Sequence, residues 1–138
     1  HGGVINYFYY PNGALRETNY EGIKTTFLID GWGNKTRIVD PSAGTFDYEY
    51  DNLSRITKEI NPKGITVYTY DTLGRPQTET TTGKTTAENT NIVKTYTYNT
   101  NTKLPETITG TSNGKTFTYT TYYDNFYRIT GKKEQTPD

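Results

Sequence analysis

A short unit recurs along this chain: an aromatic run that alternates with polar residues and ends at Asp or Asn, a reversal, and a basic-plus-apolar restart. Its clearest copies are YEYDNLSRI at residues 48–56, YTYDTLGRP at 68–76 and TYYDNFYRI at 121–129, which share Y-D-x-x-x-R. Weaker copies are FLIDGWGNK at 27–35, YTYNTNTKL at 96–104 and YFYYPNGAL at 7–15, the last reading as one residue short. Self-similarity at this scale means that one supersecondary unit is used about six times, so the unit's structure determines the architecture.

Within the first clear copy, Phe46, Tyr48 and Tyr50 fall on one face of a period-two strand and Asp47, Glu49 and Asp51 on the other. Asn52, Leu53 and Ser54 then reverse the chain. The restart at Arg55 places Ile56, Lys58 and Ile60 on one face, up to a second reversal at Asn61-Pro62-Lys63-Gly64. Each unit therefore reads as a β-hairpin plus a connecting turn. Asn12-Gly13, Gly33-Asn34, Leu73-Gly74 and Asn113-Gly114 supply further tight reversals. Threonine is abundant and Tyr numbers 14, and both suit a pleated surface better than a helix. The expectation is an all-β chain, a continuous antiparallel ribbon of hairpins that is open or curled, not a closed shell. Residues 1–138 are read as one array, with an exposed loop at 80–91, where no large apolar side chain occurs before Ile92.

Composition narrows the function. Only 30% of residues are hydrophobic, which raises disorder as a competitor, but 14% are aromatic and the formal net charge is zero, a balance that favours folding. The same neutrality removes the basic footprint that nucleic acid requires, and no apolar run is long enough to insert in a membrane. Cysteine is absent, so disulfides and thiolate sites are excluded. The single His is His1, which is followed by two glycines and is set aside as a leftover of expression. No G-x-S-x-G, P-loop or metal-ligand cluster is present, so no enzyme activity, metal or cofactor is implied.

The three Y-D-x-x-x-R copies resemble the YD, or Rhs, repeat, whose core reads Y-x-Y-D-x-x-G-R-L. Tyr68, Tyr70, Asp71, Gly74 and Arg75 match it directly, and the other two copies differ at the glycine, where Ser54 and Tyr127 stand. The opening YFYYPNGAL also resembles the MORN-like variant Y-Y-x-N-G-x-L. The resemblance implies strips of hairpins that build shells in bacterial toxins, wall-associated proteins and teneurins. It implies a bacterial extracellular or cell-surface location, with neighbouring repeats or an enclosed toxin domain as partners.

The candidate residues follow from the repeat. Asp51 with Arg55, Asp71 with Arg75 and Asp124 with Arg128 hold one spacing across one reversal, which suits a charge-assisted hydrogen bond that fixes the turn. Asp47, Glu49 and Asp51 alternate in the manner of the wet face of a strand, not of an acid–base pair. Trp32 between Gly31 and Gly33 is a candidate ligand or partner contact. Sugar binding through exposed rings, or partner binding in adhesion, is the alternative to a scaffold role. Asn34-Lys35-Thr36 and Asn52-Leu53-Ser54 are glycosylation sequons that would matter only in a eukaryotic secretory pathway. Unpaired edge strands make a homodimer a further expectation.

Overall fold

The computed structural model describes residues 3–85 and 91–136. These form twelve strands and no helix: β1 (Ile5–Tyr9), β2 (Leu15–Tyr20), β3 (Ile23–Ile29), β4 (Lys35–Asp40), β5 (Gly44–Tyr50), β6 (Ile56–Asn61), β7 (Gly64–Tyr70), β8 (Pro76–Gly83), β9 (Asn91–Tyr98), β10 (Pro105–Ser112), β11 (Lys115–Tyr123) and β12 (Ile129–Gln135). Strand order in the sheet is chain order, an antiparallel meander in which each hairpin follows the last. Contacts divide the chain into two compact units, His1–Ile65 and Thr66–Asp138.

In the first unit, Tyr20 pairs with Ile23 across Glu21-Gly22, and both turn residues have positive φ, as a two-residue hairpin requires. Asp40 pairs with Gly44, and the Asp40 carboxylate accepts hydrogen bonds from the amides of Ser42 and Ala43. In the second unit, Ser112 pairs with Lys115 across Asn113-Gly114 with the same positive-φ geometry. Alternation is plain in β4 and β9, where exposed and half-buried residues follow one another without a break. Among the described residues no apolar side chain is fully buried. Stability therefore comes from cross-strand pairs on a single layer of sheet, not from a core. One such pair is Gly110 opposite Phe117, whose ring lies over the glycine and takes the space a Cβ would need.

Three local readings change. Residues 80–91 are not wholly a loop: β8 runs through Thr80, Thr81 and Thr82 to Gly83, and these threonines pair with Val93, Ile92 and Asn91 of β9. β-Branched threonine sustains a strand when it has a partner to pack on, which outweighs the lack of large apolar residues. The remainder, 86–90, lies outside the described residues. Ile56 does not share a face with Lys58 and Ile60 either, because Tyr50 pairs with Ile56 while Glu49 pairs with Lys58, so a β-bulge resets the alternation. Finally, the unit at 7–15 is not short. Its reversal from Tyr10 to Ala14 matches the one from Asp51 to Arg55 bond for bond, whereas the unit at 96–104 carries one extra turn residue.

Candidate functional site

The reversals inside the repeats share one geometry. Asp51 donates its amide to the Arg55 carbonyl and accepts from the Ser54 amide on its own carbonyl, and Asp71 with Arg75 and Asp124 with Arg128 do the same. This is a three-residue hairpin loop, four residues long in the tip at 99–104, that ends in a left-handed residue. That residue is Gly13, Gly33 or Gly74 in three tips, and Ser54, Lys103 or Tyr127 in the others, all with positive φ. The strand that follows begins with the bulge already described: Tyr9 pairs with Leu15 but Phe8 with Glu17, Ile29 with Lys35 but Leu28 with Arg37, and Tyr123 with Ile129 but Tyr122 with Gly131.

The aspartate side chain completes each tip. In the second repeat pair, Asp71 Oδ1 accepts from the amides of Leu73 and Arg75, both at 2.9 Å, and Oδ2 accepts from Arg75 Nε at 2.7 Å and Nη2 at 2.6 Å. Asp51 meets Leu53 and Arg55 in the same way, and Asp124 meets Phe126 and Arg128. Hydrogen bonds from the arginine side chain hold the carboxyls of Asp51 and Asp71 below the usual carboxylate range. At Asp124 the Arg128 amide is the larger cause of the same shift, consistent with a guanidinium that is 75% exposed.

Asp30 sits in the same position but faces Asn34, which donates its amide and its Nδ2 to the two carboxylate oxygens. Sequence reasoning missed this tip as a pairing site because it lacks the arginine, although FLIDGWGNK aligns with YEYDNLSRI position for position. The difference has a spatial consequence. Arg75 reaches beyond its own tip: its guanidinium lies 3.9 Å from the centre of the Tyr98 ring, and Nη1 donates to the Lys103 carbonyl of the next tip at 3.0 Å. Asn34 is too short to cover the equivalent Tyr50, and its Nδ2 instead donates to Ser54 Oγ at 3.1 Å. Both tyrosines donate their hydroxyls to the backbone just after the residue concerned, Tyr98 to Pro76 and Tyr50 to Lys35.

A groove of about 620 Å³ opens where Asn34 stands, between the tip at 30–34 and the tip at 51–55. Trp32 forms its outer lip and is 89% exposed. A smaller groove of about 430 Å³ lies between the tips at 99–104 and 124–128, again beside a tip without arginine. Asp47 and Glu49 are engaged elsewhere, Asp47 with Arg37 at 2.5 Å and Glu49 with Lys58 at 2.9 Å. No group of three potential metal ligands occurs among the described residues.

No family model matches the chain, and no curated protein matches it. Solved structures do. The chain is similar to the Tc holotoxin pore of Photorhabdus luminescens carrying the TccC3 D651A mutation, with a TM-score of 0.76, 18% identity and coverage of 99% of this chain. It is also similar to TcdB2-TccC3-Cdc42, with a TM-score of 0.73, 17% identity and coverage of 91%. The chain spans 8% of the length of each. At these identities the likeness is one of fold.

Proposed function

We propose that this chain is a non-catalytic structural segment of a longer bacterial protein, secreted or held at the cell surface, in which Rhs/YD-type hairpins build a shell or scaffold. The observation that carries the reading is the repeated tip: a short reversal that ends in a left-handed residue, clamped by a carboxylate at Asp30, Asp51, Asp71 and Asp124. A chemical site has no reason to recur in this way, whereas a ribbon extended by repetition does. The likeness in fold to a short stretch of much longer toxin-complex chains supports the same reading. In it, Asp51, Asp71 and Asp124 lock their reversals through Arg55, Arg75 and Arg128, and the partners are neighbouring repeats or an enclosed toxin domain.

The test is electron microscopy of the protein encoded by the complete reading frame, with surface proteolysis of intact producing cells alongside. A hollow or strip-like particle built of further repeats, cleaved from outside the cell, is the expected result. A compact particle without additional repeats, or one protected inside the cell, would overturn the proposal.

A further inference from the structure

The geometry points to a binding site for neutral pyranose sugars in the groove between Trp32 and Tyr50, and this inference does not rest on the scaffold reading. Trp32 and Tyr50 line the groove together with Tyr48, and neither of the first two has the cover that its counterpart receives elsewhere in the repeat. Tyr98 is capped by Arg75 at 3.9 Å, and Phe126, which occupies the Trp32 position in its own tip, has Arg128 at 5.3 Å. At the Trp32 tip the arginine position is held by Asn34, whose side chain turns to Asp30 and Ser54 and leaves the space open. Gly31 and Gly33 flank the indole with no side chains of their own, and the ring is open to solvent.

An indole exposed in a polar groove offers the surface that the C–H face of a pyranose stacks on, while nearby amides and hydroxyls satisfy the sugar's hydroxyl groups. The Asn52 side chain is suited to that task, since it lines the groove and has no hydrogen-bond partner among the described residues. Charge sets the sugar class. Asp30, Glu49 and Asp51 line the groove, the last two held by Lys58 and Arg55 from outside it, and no Lys or Arg is among the lining residues, so an anionic glycan such as a sialoside finds no cation to pair with there. The groove between the tips at 99–104 and 124–128 has Thr102, not an aromatic residue, on the corresponding lip.

The chain contains one Trp, so its fluorescence reports this site alone. Titration with cellotriose and with chitotriose is expected to shift the emission saturably for at least one of them, with 3′-sialyllactose at least tenfold weaker. Asn34→Arg, which installs the residue that other tips carry, is expected to fill the groove and weaken binding at least tenfold while leaving the melting temperature unchanged or higher. Calorimetry on Trp32→Ala should show the same loss. The inference is overturned by no saturable change with either neutral trisaccharide up to about 10 mM. It is equally overturned by undiminished binding in a folded Asn34→Arg variant, or by an emission shift that follows protein concentration without sugar, which would make the indole a contact between copies.

Discussion

At the last loop position of each tip, the backbone is constant while the side chain is not. Ser54, Lys103 and Tyr127 hold φ of 59°, 63° and 63°, in the region that Gly13, Gly33 and Gly74 occupy without strain. A side chain there costs about 1 kcal/mol, offset in part by the greater freedom that glycine gives the unfolded chain. Ser54→Gly should therefore raise stability, and Gly74→Ser lower it, by roughly 0.5 kcal/mol each, both read from urea denaturation. The aspartates of the tips predict an acid dependence. Their folded-state pKa values lie below those of the unfolded chain, so their contribution is full above the ordinary carboxylate value of about 4 and is lost as pH falls through the lowered one. Melting temperature should fall on acidification below about pH 4. Asp71→Asn should lower it at neutral pH and flatten part of that acid slope; an unchanged slope and midpoint would deny the clamp a role in stability.

Between elements, successive hairpins are tied by tyrosine. Tyr98 combines a hydroxyl bond to Pro76 with the stacked Arg75, so Tyr98→Phe should lose about 1 kcal/mol and Tyr98→Ala clearly more, as thermal melts would resolve. Equal losses would mean that the ring contributes nothing beyond the hydroxyl. On the strand pair β8–β9, Tyr96 is half-buried and donates to Glu79, which also holds Lys94 at 2.8 Å. Desolvation first, and Glu79 second, push the Tyr96 phenol up to about 12. With the folded value raised, its stabilising effect is complete below the unfolded phenol value near 10 and is lost as pH rises through about 12. Ultraviolet titration at alkaline pH should show this phenol ionising last, together with loss of β structure, and Tyr96→Phe should remove that step.

At the scale of the molecule, the lack of buried apolar side chains among the described residues places weight on strand pairing, and strands at the margins are exposed to it. β1 pairs only with β2 among the described residues, all five of its residues are exposed, and none is charged. β12 carries Lys132, Lys133 and Glu134, which discourage pairing. Light scattering should show mass rising with concentration, and Ile5→Lys with Tyr7→Lys should suppress it. Association that persists in the double variant would move the contact away from β1.

The hairpins, the tip pairs from Asp51 to Arg128 and the all-β class were legible in the sequence, because period-two alternation and turn chemistry are set by residues close together in the chain. Asp71 and Arg75 lie across a single reversal, so their spacing alone brings them within reach. The bulge after each tip was not legible: whether Thr57 is passed over depends on which residue of β5 faces Lys58, and alternation along one strand carries no information about its partner. The threonines of β8 were misread for the same reason, since they hold a strand only because Ile92 and Val93 stand opposite. The groove at Trp32 needed the tertiary structure most. Asn34 in place of arginine is a small change along the chain, and it becomes an opening only because the next hairpin sets Tyr50 and Ser54 around the space that a guanidinium would have filled.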